Sequence, residues 1–157
     1  MPAVTIRRAA GDDARWAAGV MAASDPWMTL GRGFDACLAA CTSPLDILDI
    51  AECDGERCGL VLVRPAGVAG APYIVSIAVA PPFRSRGVGA ALLAHVEAAC
   101  YGRSRHLFLC VSSFNPRARQ FYARHGFETV GTLKAFLIDG ADEILMHKRL
   151  AAPPGRD

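Results

Sequence analysis

The chain has 157 residues, of which 52% are hydrophobic and 20% are charged, and its formal net charge is +2. A chain of this length and apolar content builds one good core and hardly a second, so we expect a single domain over residues 1–152. The small net charge argues against nucleic acid and membrane surfaces as partners.

The first 70 residues show a strand pattern, then two helix patterns, then two further strand patterns. Two helical segments are joined by an aromatic loop that carries Trp27, and a hairpin turning at Asp54-Gly55 follows them. In chain order we predict a strand at 4–8, helices at 12–23 and 34–41, strands at 47–53 and 58–64, and a loop at 67–70.

A glycine-bearing turn then separates a strand from a helix. Residues 73–79 are β-branched and apolar on both faces, which is typical of a buried strand, and apolar residues recur with helical spacing over 88–101. Between them lies Arg84-x-x-Gly87-x-Gly89. A helix start offers unpaired N–H groups, and glycines keep side chains away, so this turn suits a pyrophosphate. Two glycines spaced in this way are equally typical of an ordinary turn with solvated arginines.

Other phosphate-binding loops fit this turn poorly. A P-loop needs a lysine and a hydroxyl after its last glycine, and Gly89 is followed by Ala90. A dinucleotide fingerprint needs a third glycine and an acidic residue about 20 residues later, and neither condition is met.

The second informative segment is a capped helix after another short strand. Residues 107–111 predict the strand, Asn115-Pro116 supplies an N-cap and a first helical residue, and Gly126 supplies a left-handed C-cap. Ala118, Phe121 and Tyr122 fall at i, i+3 and i+4 and share one face of this helix, so Tyr122 is expected to point inward. On its own, a buried tyrosine is more often a core residue whose hydroxyl bonds the backbone. A closing hairpin with strands 128–138 and 143–150 turns at Asp139-Gly140.

Together these segments resemble the two signature motifs of the GNAT superfamily of N-acetyltransferases. The match covers about a third of the chain, in the right order and spacing. The resemblance implies an α/β single domain with a mixed, mostly antiparallel central sheet and helices on both faces. The matching residues are Ile77-Ala78-Val79, Arg84-x-x-Gly87-x-Gly89 and Asn115-x-x-Ala118-x-x-Phe121-Tyr122-x-x-x-Gly126-Phe127.

The resemblance implies an enzyme that transfers acetyl from acetyl-CoA to a primary amine by direct attack, without a metal. The amine belongs to a peptide or protein N-terminus or to a small molecule. Strand 73–79 would part from its neighbour at a bulge, the Val79 amide would polarise the thioester carbonyl, and Tyr122 would protonate the CoA thiolate. Residues expected to bind the cofactor are Ile77, Ala78, Val79, Arg84, Ser85, Arg86, Gly87, Val88, Gly89, Ala90, Asn115 and Tyr122.

The acceptor side is less specified. The resemblance implies an acceptor groove between the loop that joins the first two helices and the final hairpin. It does not decide whether the protein is a monomer or a homodimer. Some family members carry a carboxylate base at places matching Cys110 and Tyr73, and neither residue is acidic here. The amine would then lose its proton through ordered water and backbone carbonyls or to an acid from a loop, and a non-catalytic CoA-binding sensor or partner module remains an alternative. The expected walls are Trp27, Met28, Phe34 and Phe136, and the candidate acids are Asp25, Asp139, Asp142 and Glu143, of which the last three also suit a charged hairpin that faces solvent.

The cysteines and the first residues of the chain indicate which kinds of site and which location to expect. The six cysteines form no Cys-x-x-Cys pair and the four histidines are scattered, so we expect small buried hydrophobes and neither a disulfide framework nor a zinc site. No leader-like segment follows Met1, which favours a soluble cytoplasmic protein, and the proline-rich tail at 153–157 is expected to be disordered.

Overall fold

Seven strands and four helices follow one another in the residues that the computed structural model describes, 3–152 and 155. A short 3-10 turn, Pro81–Phe83, stands between the fourth strand and the third helix. The predicted disordered tail lies outside the described residues, apart from residue 155. The strands are β1 (Val4–Arg8), β2 (Ile47–Cys53), β3 (Glu56–Val68), β4 (Ala71–Val79), β5 (His106–Ser112), β6 (Glu128–Ile138) and β7 (Ala141–Arg149), and the helices are α1 (Asp13–Ala22), α2 (Phe34–Cys41), α3 (Val88–Tyr101) and α4 (Pro116–Arg124).

All seven strands belong to one sheet in the order β1-β2-β3-β4-β5-β7-β6. Every neighbouring pair is antiparallel except β4 and β5, which run parallel. Parallel neighbours need a crossover, and α3 supplies it. The predicted mixed, mostly antiparallel sheet is therefore confirmed.

The helices cover both faces of this sheet. Side chains alternate along a strand, so Leu60 and Leu62 of β3 pack against α1 and α2, whereas Val61 faces the opposite core under α3 and α4. The expected small buried cysteines take part in both cores, where Cys37 and Cys41 belong to the first and Cys58 to the second.

Strands β4 and β5 separate soon after they meet. Their pairing consists of Tyr73 with Phe108 and Ile74 with Leu109. On the other side of β4, the register with β3 shifts between Ile74 and Ser76 and leaves Val75 as an extra residue. A bulge bends the strand that carries it, and the remainder of β4 therefore diverges from β5. The parting at a bulge that the resemblance implied is confirmed.

The loop expected at 67–70 is shorter than predicted. Strand β3 continues to Val68, and a two-residue turn, Ala69 (φ 50°) and Gly70 (φ 82°), leads directly into β4. Gly67 permits this continuation, because a Cβ there would lie 2.5 Å from the Cβ of Tyr73. Likewise β7 begins at Ala141, two residues earlier than predicted. Among the described residues, no helix combines the length and the apolarity needed to cross a membrane.

Candidate active site

The gap between β4 and β5 opens into a cavity of about 430 Å³ that passes through the sheet. Asn115, Ala118 and Tyr122 approach it from the α4 side. Polar side chains of three strands approach it from the α1 and α2 side, and the α1–α2 loop and β6 form its mouth. Those residues include Tyr73, Cys110, Ser112 and Glu143 on the strands, and Asp25, Trp27, Leu30, Phe136 and Leu137 at the mouth.

Backbone amides of β4 face this gap. The Ala80 N–H donates to the Cys58 carbonyl of β3 at 2.9 Å. Hydrogen bonding alternates along an antiparallel strand, so the amide of Ala78 also faces β3, while those of Ile77 and Val79 point into the gap. Of the three predicted strand residues, Ile77 and Val79 thus present amides, and Ala78 contributes its side chain to the α1–α2 core.

The turn before α3 forms a concave row of N–H groups. Ser85 and Gly87 both adopt positive φ, at 62° and 82°, and α3 has no side chain capping its N-terminus. The first bond that closes the helix runs from the Ala91 N–H to the Gly87 carbonyl at 3.0 Å. Within the described part of the chain, the amides of 85–90 have no backbone acceptor. Such an arrangement at a helix start fits a pyrophosphate.

The two arginines of this turn are engaged with protein groups. Arg84 donates from Nε to the Val79 carbonyl and from Nη2 to the Ser24 hydroxyl, each at 3.2 Å. Arg86 lies over the Phe83 ring, 5.9 Å from its centroid. Arg84 thereby fixes the end of β4, and with it the Val79 amide, to the end of α1.

Gly89 has a different neighbour from the one that the sequence suggested. A side chain there was expected to project into the space of the phosphate, but a Cβ on Gly89 would lie 3.1 Å from Cζ of Phe121. The glycine therefore leaves room for the Phe121 ring of α4 against the first turn of α3. That steric reason for Gly89 was wrong, because the Cα–Cβ direction points between the two helices.

Tyr122 occupies the buried position that the motif predicted. It is 8% exposed and makes edge contacts with the rings of Phe121 and Phe127. Burial alone raises the pKa of its phenol above the ordinary value, and no hydrogen bond contributes. Asn115 caps α4 as expected, with its Oδ1 accepting from the Ala118 N–H at 3.2 Å, which leaves its amide nitrogen available to a ligand.

Two of the four predicted acceptor walls line the cavity. Trp27, which is 7% exposed, and Phe136 do so. Met28 does not, because its side chain is 60% exposed on the outside of the loop. Phe34 does not either, because it begins α2 and packs against the helical core, with the Arg15 guanidinium over its ring.

The four candidate acids differ in their surroundings. Asp25 accepts from the Thr29 hydroxyl at 2.6 Å and from its N–H at 3.0 Å, and these bonds lower the pKa of Asp25. Asp139 is exposed at the hairpin turn. Asp142 accepts from the Ala135 N–H at 3.0 Å. All three are thus solvated or already bonded.

Glu143 contradicts the expectation of a solvent-facing hairpin. It is 8% exposed, because β7 begins at Ala141 and Glu143 therefore lies inside the sheet, between β5 and β6. Its side chain lines the cavity. Sequence analysis missed this burial, although its alternation with the inward residues Ile144 and Met146 on the other face was a signal.

Tyr73 and Cys110, which occupy the places of the missing carboxylates, meet across the cavity floor. Burial first, and then the contact with the Cys110 thiol, raise the pKa of Tyr73. Burial also raises the pKa of Cys110. Both groups are therefore neutral hydrogen-bonding groups at physiological pH. Within residues 3–152 and 155, no set of three His, Cys, Asp or Glu side chains is arranged to hold a metal ion.

Comparison with known proteins identifies the family. The model of the acetyltransferase (GNAT) family matches residues 13–127. N-alpha-acetyltransferase 50 of Danio rerio is 33% identical over 85 residues, which are 52% of this chain and 51% of that protein, so the chain spans about half the length of this curated relative.

Solved structures share the fold. A GNAT-family protein from Desulfovibrio desulfuricans has a TM-score of 0.82 and 27% identity, covering 95% of this chain and 100% of its own. A Bacillus anthracis str. Ames protein assigned as a streptothricin acetyltransferase, solved with acetyl coenzyme A, has a TM-score of 0.63 and 23% identity over 70% of this chain and 65% of its own. With its signature turn, its parted strands and a family match over most of its length, the chain belongs to the GNAT family of acetyltransferases.

Proposed function

We propose that this protein is an acetyl-CoA-dependent N-acetyltransferase that acetylates a primary amine by direct attack. The observation that carries the proposal is the parting of β4 from β5, which leaves the amides of Ile77 and Val79 without a partner on β5. Ile77 lines the same cavity that Tyr122 enters. Unpaired strand amides in a protected gap are costly unless a ligand bonds them. An extended amide-containing chain such as the pantetheine arm meets that requirement.

The chain's own residues fit acetyl-CoA along its length. The free amides of 85–90 suit the pyrophosphate, the Ile77 amide and the Asn115 side chain suit the amides of the arm, and the Val79 amide suits the thioester oxygen. When bound, acetyl-CoA supplies an activated acetyl group. A fixed N–H donor stabilises the negative charge that grows on the carbonyl oxygen during attack, most strongly where water is excluded.

Tyr122 is the proton donor for the departing thiolate. A phenol has an ordinary pKa near 10 and a thiol near 8.5, so the phenol stays protonated until the thiolate forms. Its buried position strengthens that preference for the neutral form, since burial raises the pKa of Tyr122. No other titratable side chain enters the cavity from the α4 side among the described residues.

The acceptor enters from the opposite face of the sheet. Its side of the cavity has an apolar rim of Trp27, Leu30 and Phe136 around a polar floor of Tyr73 and Glu143. Entry opposite Tyr122 supports direct attack, because nucleophile and proton donor then approach the reacting carbon from different sides. The N-alpha-acetyltransferase among its relatives favours peptide amino termini as the first acceptors to test.

A thiol-release assay with acetyl-CoA tests the proposal. The panel comprises peptides with free amino termini, spermidine, an aminoglycoside and free amino acids, and mass spectrometry identifies the acetylated product. We expect acceptor-dependent release of CoA with stoichiometric N-acetylation of at least one class. CoA binding without turnover on any amine would instead favour the sensor or partner module.

A further inference from the structure

One carboxylate in the cavity has no cation beside it. The side chain of Glu143 is almost fully buried and faces the β4–β5 cavity, and it makes neither a hydrogen bond nor an ion pair with any of the residues that the structure describes. A carboxylate in a narrow cleft with no cation beside it is less well stabilised than one on the open surface. A cation brought by a ligand supplies the missing stabilisation.

Neither of the two arginines that line the cavity neutralises Glu143. Arg64 donates to both oxygens of Asp46, at 2.7 and 3.0 Å, so its charge is already compensated. Arg32 lies at the mouth on the exposed α1–α2 loop. Neither forms an ion pair with Glu143.

A second polar group beside Glu143 also has no partner. Ser112 of β5 is the register partner of Glu143, it is 3% exposed, and its Oγ is buried without a hydrogen bond. Directly opposed residues of antiparallel strands have Cβ atoms about 5 Å apart. A primary ammonium has three donors, and an anionic carboxylate and a hydroxyl oxygen are suitable acceptors for two of them.

We propose that Glu143 and Ser112 bind the acceptor as a primary ammonium ion and that Glu143 takes its proton before attack. This deepens the proposed acetyl transfer and rests on it. One ammonium proton passes to a Glu143 oxygen, and the freed nitrogen forms the C–N bond. The C–S bond breaks as the thiolate takes the Tyr122 proton. A second proton leaves the nitrogen and restores the phenol, so each turnover releases one proton to solvent.

The acceptor class follows from this assignment. Alkyl amines and peptide α-amines are ammonium ions at neutral pH, whereas arylamines and alcohols are not. We therefore expect the enzyme to prefer aliphatic primary amines. The titratable or charged groups that line the cavity with Glu143 are Tyr73 on β4, Cys110 on β5, Arg64 on β3, Cys37 on α2, Tyr122 on α4, and Asp25 and Arg32 on the α1–α2 loop.

Binding of n-butylammonium and its uncharged analogue n-butanol to the CoA-saturated protein tests the ammonium site by NMR titration. We expect the wild type to prefer n-butylammonium, and Glu143→Gln to weaken that binding roughly tenfold while leaving n-butanol unchanged. Asp139→Asn is the matched control, because it neutralises an exposed carboxylate of the same hairpin. Ser112→Ala gives a second test if Glu143→Gln folds poorly. Equal affinity for the two probes, or full binding to both variants, would overturn the proposal.

The pH dependence of turnover tests the proton transfer. With the best acceptor of the panel, we expect Glu143→Gln to lower kcat roughly 10²-fold at neutral pH. Activity should return as the pH rises through the pKa of that acceptor, about 8 for a peptide α-amine and about 10 for an alkyl amine, where the amine loses its proton unaided. A ratio of wild-type to variant rate that is independent of pH would contradict the role of base. If the wild type binds n-butylammonium through Glu143 yet acetylates no amine, the acetyl transfer fails and the ammonium site stands.

Discussion

At the scale of single residues, the phenol of Tyr122 bears most of the proposed chemistry. It is buried against Phe121 and Phe127 and enters the cavity from the side opposite to Glu143. We expect Tyr122→Phe to lower kcat roughly tenfold or more, because proton donation is lost, while the Kd for acetyl-CoA stays nearly unchanged because the ring is kept. Steady-state kinetics and calorimetry measure the two quantities.

Tyr101→Phe is the control for that substitution. Tyr101 lies at the end of α3 with the Arg105 guanidinium over its ring, away from the cavity. Its variant should match the wild type in both quantities. Wild-type turnover of Tyr122→Phe would remove the phenol from the mechanism.

Local motifs predicted some of these residues and not others. The cap formed by Asn115, the positive φ of Gly87 and the burial of Tyr122 were predictable because each depends on one turn or one helix face. Glu143 was among the candidate acids, but its burial was not predicted, because that burial depends on β7 lying between β5 and β6, strands that are up to 37 residues away along the chain. Ser112 was missed for the same reason.

At the scale of secondary-structure elements, Gly89 gives the Phe121 ring of α4 its place beside α3. A side chain there meets the Phe121 ring, next in sequence to Tyr122. We expect Gly89→Leu to destabilise the protein by about 1–3 kcal/mol through overpacking, as measured by urea denaturation.

The same helix offers a matched control. A Cβ on Gly102, at the far end of α3, meets nothing within 4 Å, so Gly102→Leu should cost less. Adding Phe121→Ala to Gly89→Leu should return part of the lost stability, since the clash is removed. Equal costs for the two leucine variants would show that the α3–α4 contact does not limit this position.

An ion-pair network attaches α1 to the sheet and makes its stability pH-dependent. Asp13, whose side chain is 4% exposed, accepts from Arg7 at 2.6 Å, Arg57 at 3.1 Å and the Ala10 N–H at 2.9 Å. The hydrogen bond from Arg7 is the largest cause that lowers the pKa of Asp13 to about 2. A depressed carboxyl pKa stabilises the fold above the unfolded-state value and loses that contribution as the pH falls towards 2.

The expected loss is measurable by chemical denaturation as a function of pH. The shift from 3.8 to about 2 corresponds to about 2 kcal/mol. Between about pH 5 and about pH 2 the wild type should lose that much more unfolding free energy than Asp13→Asn. Asp12→Asn is the control, because the Asp12 side chain is 77% exposed and should change the profile little. Parallel profiles for wild type and Asp13→Asn would contradict the assignment.

The types and order of the elements were largely predictable, because the hydrophobic spacing and the capping and turn residues indicate the same helices and strands along this chain. The extension of β3 to Val68 was not, because it depends on Gly67 lying against Tyr73 of the next strand. Strand ends are decided by such contacts between elements. The parting of β4 from β5 was expected only from the resemblance, since no local pattern marks Val75 as the bulged residue.

At the scale of the whole molecule, the groups proposed to act on the coenzyme and those proposed to act on the amine lie on opposite faces of the sheet. The amides of the α3 turn and Tyr122 lie towards the α3 and α4 face, while Tyr73, Ser112 and Glu143 lie towards the α1 and α2 face. The gap at the bulge is where the two faces communicate. In this arrangement a nucleotide thioester enters from one face and an ammonium ion from the other.

A crystal structure with acetyl-CoA bound tests this arrangement most directly. We expect electron density for the pyrophosphate at the amides of 85–90, the arm paired with Ile77 and Val79, and the sulfur within hydrogen-bonding distance of the Tyr122 hydroxyl. Density for the coenzyme outside the β4–β5 gap, or a sulfur remote from Tyr122, would contradict the account.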